Sequence, residues 1–264
     1  MGVLLQEACR RTGMQTLEGA AESLAEQTIA RCGLWEGPID LERICGELGV
    51  AKVEYRSLPC DGVLIPLSSG YKVMIASWAP KPRQRFSLAH ELGHVMVHTL
   101  IPETRRAATR SVFTPPGHAE EERFCDLFAS RLLMPNRMID VAMDRGFGLA
   151  AIRDLALVAG SSLSAAARRL REALQLKVGL ATVVQAGSRL RIGRVLLSSD
   201  GGKRRVAQGP LKDYGVCATA VRERSHVCGW DWIPMSETQK AWTRVECEGW
   251  GTAGSAPGGL VLCY

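Results

Sequence analysis

The apolar positions along the chain change period more than once. Residues 17–32 (LEGAAESLAEQTIARC) space them as a helix does, with Gly33 as a stop. Residues 39–48 (IDLERICGEL) repeat the pattern, with Asp40 placed as N-cap and Gly49 following. Three short runs rich in β-branched and apolar residues come next, at 53–58, 63–67 and 72–77. CDG at 60–62 and SSGY at 68–71 separate them, which predicts a small antiparallel meander. Beyond WAPKP (78–82) the helical period returns over 83–100, and again over about 119–133 after a loop ending in TPPGH. Shorter helical stretches follow at about 136–145, 149–159 and 163–174. GSS at 160–162 gives the last two a helix–turn–helix layout. From 178 onward the chain alternates Val, Thr, Trp and Gly, as a separate β-rich module does. The predicted class is α+β, in three successive parts: 1–136, 137–176 and 177–264.

Composition narrows this picture. The chain has 264 residues, enough for one large domain or two modest ones. No apolar run approaches the roughly 18–20 residues of a membrane span, and the first thirty residues lack a signal-peptide core. The nine cysteines are scattered, without CxxC spacing, which suits reduced thiols in the cytoplasm better than a disulfide framework. The net charge of +6 is unevenly placed. Residues 1–136 carry one net negative charge and residues 137–264 seven net positive ones. An acidic partner for the second half, nucleic acid among others, is the expectation from that asymmetry.

Chemistry concentrates in His90-Glu91-Leu92-Gly93-His94. Positions 90 and 94 share one helix face, where two imidazoles can bind one zinc ion. Glu91 lies beside that face, placed to take a proton from a water activated there. This HExxH spacing is a known metalloprotease signature. Gly93, unfavourable in a helix, implies that something passes close by. A third ligand must come from elsewhere. The helix starting at 119 offers Glu120, Glu121 and Glu122, then Asp126. Glu122 fits the inward stripe of Cys125, Phe128, Ala129 and Leu132, with Glu121 its main competitor. Asp126, one turn on, can hold a ligand histidine through its free N–H. An EEE run is also how a solvated helix start looks. His98 extends the histidine face by a turn and suits a supporting role, and His118 in the loop is a candidate for substrate contact.

Further on, Arg168, Arg169 and Arg171 suit phosphate contact. They lie opposite an apolar stripe of Leu163, Ala166, Ala167, Leu170 and Leu174, and a helical packing segment with a solvated basic face explains them equally well. Arg189, Arg191, Arg194, Lys203, Arg204 and Arg205 form a second basic cluster without interleaved aromatics. Trp230 and Trp232 could stack on bases, although strand alternation makes packing the simpler role.

The blocks Arg85-Phe86-Ser87-Leu88-Ala89-His90-Glu91-Leu92-Gly93-His94 and Glu122-Arg123-Phe124-Cys125-Asp126, running on to Leu132-Leu133-Met134-Pro135, resemble the ImmA/IrrE metallopeptidases. Pro38-Ile39-Asp40-Leu41 and Gly49-Val50 add to the likeness, which spans roughly 18–175. The resemblance implies a gluzincin-like fold, with Glu122 as third ligand and Asp126 at the family's Asn/Asp position. It implies zinc, or manganese, since a His2Glu site accepts both. It also implies cleavage of a helix–turn–helix transcriptional repressor, with derepression of a stress or DNA-damage response, radiation resistance included, or control of a mobile element. Domain order alone suggests a GAF-like sensor at the C-terminus, taking nucleic acid or a small-molecule activator. The alternative is a DNA- or ligand-binding transcriptional regulator that keeps the peptidase fold as a scaffold.

Overall fold

The computed structural model describes residues 2–34, 37–104, 119–144, 146–176, 178–186, 188–197, 208–212, 214–234, 242–252 and 258–263, with backbone alone at 197, 230–234, 242–248, 250, 252 and 258. The chain divides into two compact units. The N-terminal unit takes Met1–Val141 and Leu155–Ser162; the C-terminal unit takes Ala142–Asp154 and Leu163–Tyr264. The helical segment expected over 137–176 is thus shared between the units.

The N-terminal unit opens with α1 (Val3–Thr12), which sequence periodicity did not single out. It is short, and only Leu4 and Ala8 are buried on it. Helix α2 (Leu17–Arg31) starts where Thr16 caps the Gly19 N–H, and α3 (Leu41–Glu47) where the Asp40 carboxylate accepts from Glu42 and Arg43 N–H. Strands β1 (Val50–Arg56), β2 (Gly62–Pro66) and β3 (Tyr71–Ala76) form one sheet in the order β1-β3-β2. The expected antiparallel meander is therefore corrected: β3 lies in the middle, antiparallel to β2 but parallel to β1. The tight turn at 67–70 keeps β2 beside β3, while the Pro59-bearing connection carries the chain past the place β3 will fill.

Helix α4 (Lys81–Leu100) packs on β2 and β3 from one side and on α5 (Ala119–Leu133) from the other. It is buried nearly all round, which is why its apolar stripe is broad. On α5, Cys125, Phe128, Ala129 and Leu132 turn inward as their spacing predicts, joined by Phe124 stacked on Phe128. Helices α6 (Asn136–Ala142), α7 (Leu149–Ala159) and α8 (Leu163–Leu174) follow.

In the C-terminal unit, β4 (Gly179–Ala186), β5 (Arg189–Leu197), β6 (Gly209–Pro210), β7 (His226–Pro234), β8 (Trp242–Thr252) and β9 (Gly258–Cys263) make one antiparallel sheet, ordered β6-β5-β4-β9-β8-β7. Helix α9 (Val216–Glu223) lies across β7, β8 and β9. Its Val216, Cys217 and Val221 close a core over Ala181, Val183, Ile192 and Val261. Among the described residues no single helix is long and apolar enough to cross a membrane.

Candidate metal and catalytic centre

Helix α4 presents His90 and His94 one turn apart, ring centroids 5.1 Å apart. Their Nε2 atoms converge on one carboxylate of α5: Glu122 Oε2 is 3.3 Å from His90 and Glu122 Oε1 3.6 Å from His94. The other ring nitrogens are held as well. His90 Nδ1 lies 3.0 Å from Asp126 Oδ1, and His94 Nδ1 2.9 Å from Glu121 Oε1. Each imidazole thus has one nitrogen fixed by a carboxylate and the other turned toward the shared space, an arrangement that sets ring orientation and tautomer.

The α4–α5 spacing rests on Gly93. A Cβ there would lie 2.8 Å from Cys125 Cα and 3.2 Å from its Sγ, so the close passage implied by the glycine is that of α5. The passage also brings the thiol close. His90, His94 and Cys125 each offer a ligand atom within 4.8 Å of the others, and these three could hold a metal ion. Burial pushes the Cys125 thiol well above its ordinary range, reinforced by Glu121 and Glu122, which opposes the thiolate that metal binding requires.

Glu91 is 7 % exposed, and its carboxylate lies against the backbone of β2, where a Cβ on Gly62 would come within 2.7 Å of Oε1. Burial raises the Glu91 carboxyl above its usual range, opposed by His94 and His90 and aided by Glu122. Burial alone would lower His94; Glu121, Glu91 and Glu122 outweigh it and hold the imidazole above its ordinary value. At the rim, Arg83 Nε donates to Asp61 Oδ2 at 3.1 Å and its guanidinium lies 5.8 Å over Phe86, whose ring neighbours His90 at 6.3 Å. The Arg83 hydrogen bond holds the Asp61 carboxyl below its usual range.

The sequence-predicted residues divide accordingly. His90, Glu91, His94, Glu122 and Asp126 come together. His98 turns elsewhere and stacks on Tyr71 of β3, 5.6 Å between centroids. Glu121, weighed as a rival metal ligand, sits on His94 Nδ1. The roles of Gly62 and of the Asp61–Arg83 pair carried no sequence signal, since both depend on β2 reaching α4. On α8, Arg169 is 2 % exposed and packs with Ala166, Ala167 and Leu170, so it is withdrawn from the face that could meet phosphate. Arg168 stays exposed and Arg171 half-buried, and Leu174 lies outside the buried stripe. His118 and the side chains of Trp230 and Trp232 lie outside the described residues.

Residues 47–171 match the IrrE N-terminal-like domain of the M78 peptidases. Among solved structures, a Mycobacterium tuberculosis transcriptional regulator is similar, at 16 % identity and a TM-score of 0.50 over 98 % of this chain and 78 % of that one. At that identity the likeness is one of fold. No curated protein matches the chain.

Proposed function

An IrrE N-terminal-like peptidase domain occupies residues 47–171 of this chain, and from it we propose a zinc-dependent endopeptidase in which His90, His94 and Glu122 hold the metal and Glu91 is the catalytic base. The observation that carries this reading is the convergence of both Nε2 atoms on the Glu122 carboxylate. The donor set fits a dication. Four carboxylates (Glu91, Glu121, Glu122 and Asp126) gather around two imidazoles, an excess of negative charge that a divalent ion offsets. Glu122 suits the third position better than Cys125, because its carboxylate is within reach of both rings and the buried thiol resists ionisation. Manganese is the alternative ion.

A bound zinc ion supplies Lewis acidity toward a water and the scissile carbonyl. Glu91, kept basic enough by its two histidines yet raised by burial, takes the water's proton and returns it to the leaving amine nitrogen. Asp126 and Glu121 keep the rings aimed while this happens. A substrate strand cannot add to residues 72–77, because β3 is flanked on both sides. Strand β2 is an edge, and its Gly62 touches Glu91, so an extended substrate segment aligned there meets the catalytic carboxylate.

The substrate proposed is a small helix–turn–helix repressor, cleaved in the cytoplasm to release genes of a stress, DNA-damage or mobile-element response. That the Mycobacterium neighbour is called a transcriptional regulator agrees with a regulatory setting. The test is incubation of a helix–turn–helix repressor from the same genome with wild type and with Glu91→Gln, with and without chelator, followed by mapping of new N-termini. Cleavage by wild type alone, lost on chelation, is expected. The variant should retain stoichiometric zinc while losing a factor of about 10²–10⁴ in rate. Cleavage by the variant at the wild-type rate would remove Glu91 from the mechanism. Intact repressor with chelator-insensitive DNA binding would favour the scaffold reading.

A further inference from the structure

The metal centre uses none of the positive charge that the chain carries after residue 136. Part of that charge lies on β5 of the C-terminal unit. Arg189 and Arg191 alternate there with Leu190 and Ile192, so the pleat sends the two arginines to one face and the apolar pair to the other. The apolar pair turns inward: Ile192 is fully buried and Leu190 packs on the same core. The arginines are exposed, and among the described residues neither meets a carboxylate. Two residues along a strand place their stems about 6.6–6.8 Å apart, near enough for two long guanidinium arms to converge on one diphosphate or to take successive phosphates of a strand.

These arginines border a groove of about 460 Å³, inside the range of about 300–1,000 Å³ usual for small-molecule sites. Its other walls are Ala186, Gln208, Gly209 and Pro210, with Pro210 in register with Arg191 and Gly209 with Ile192. Among the described residues no acidic side chain lines it. Two cations, one amide and an apolar wall from Ala186 and Pro210 suit an organic phosphate. Guanidinium forks bind phosphate oxygens in pairs, which ammonium groups cannot do. We propose that the β5–β6 groove of the C-terminal unit binds nucleotide phosphates through Arg189 and Arg191, one phosphate to each guanidinium.

Calorimetric titration of the full chain with ADP, with inorganic phosphate and with an oligodeoxythymidylate tests this. ADP is expected to bind more tightly than phosphate alone. The double variant Arg189→Gln/Arg191→Gln should weaken ADP at least about tenfold. Arg153→Gln/Arg222→Gln, which removes equal charge elsewhere in the same unit, should stay within about twofold. ADP binding more tightly than the oligonucleotide assigns the site to a free nucleotide; the reverse order assigns it to phosphates of a strand. The proposal is overturned if neither binds at millimolar concentration, or if both double variants lose affinity equally, because diffuse charge would then be the cause. All four arginines are exposed, and thermal melting of each variant checks that it folds. None of these readouts depends on peptidase activity.

Discussion

The two units use a missing side chain in different ways. In the N-terminal unit, Gly93 lets one helix lie on another, and the contact sets how far Glu122 stands from two histidines. In the C-terminal unit, Gly249 and Gly251 share one face of β8 and let α9 lie directly on the strand. A Cβ on Gly251 would come within 2.0 Å of Ala220 O. The first close approach assembles charged groups; the second packs a core of Val216, Cys217 and Val221. Charge follows the same division. Imidazoles and carboxylates face one another between α4 and α5, whereas Arg189 and Arg191 of β5 stand exposed. A geometric error of an ångström therefore costs chemistry in one unit and only stability in the other.

The sharpest way to break this comparison is to remove a proposed ligand. Glu122→Gln should weaken zinc by more than about 100-fold, beyond what loss of a supporting partner causes, while Cys125→Ser stays within about tenfold. Competition titration against a chromogenic chelator reads both. The opposite ranking would make the buried thiol the third ligand and would overturn the role given to Glu122. Affinity should also fall on acidification, because His94, held above its ordinary value by three carboxylates, must lose a proton before a metal can bind.

One step weaker are the two carboxylates behind the rings. Asp126→Asn and Glu121→Gln should each cost about 10–100-fold in zinc affinity with the fold intact. If Glu121→Gln has no effect while Asp126→Asn does, the His94 partner does not set the tautomer and the two histidines are not equivalent.

Legibility of the sequence follows the same divide between local and long-range causes. The α4 and α5 spans, the Asp40 cap and the His90–His94 face are periodic features of one segment each, and the sequence displays them directly. The pairing of Asp126 with His90 was foreseeable because an i, i+4 spacing carries it. The strand order was not, since parallel pairing of β1 with β3 depends on a connection that passes over a strand not yet made. The same blindness hid Gly62, whose only role arises where β2 meets Glu91. Arg169 misled for a different reason. Its spacing puts it one helical step from Ala166 and Leu170, and residue type alone could not say on which side of the stripe it would settle.

The glycines provide a matched pair of smaller perturbations. Gly93→Ala and Gly251→Ala should each destabilise their own unit by about 1–3 kcal/mol, the usual cost of overpacking. Only Gly93→Ala should also weaken zinc, because pushing Cys125 away moves Glu122 with it. Chemical denaturation beside metal titration separates the two effects. Zinc loss in Gly251→Ala would break the contrast between the two glycines.

The mildest change tests whether local stability alone reaches the centre. Asp40 caps α3 through hydrogen bonds of 3.0 and 3.2 Å to the N–H groups of Glu42 and Arg43. Asp40→Ala should cost about 1 kcal/mol of the N-terminal unit's stability. The α4–α5 contact does not involve this cap, so zinc affinity and cleavage should match wild type. A variant that loses affinity in proportion to its lost stability would show instead that the spacing of α4 and α5 is set by the unit as a whole. In that case Gly93 would be one contributor among several, and the contrast with Gly251 would reduce to which unit each glycine occupies.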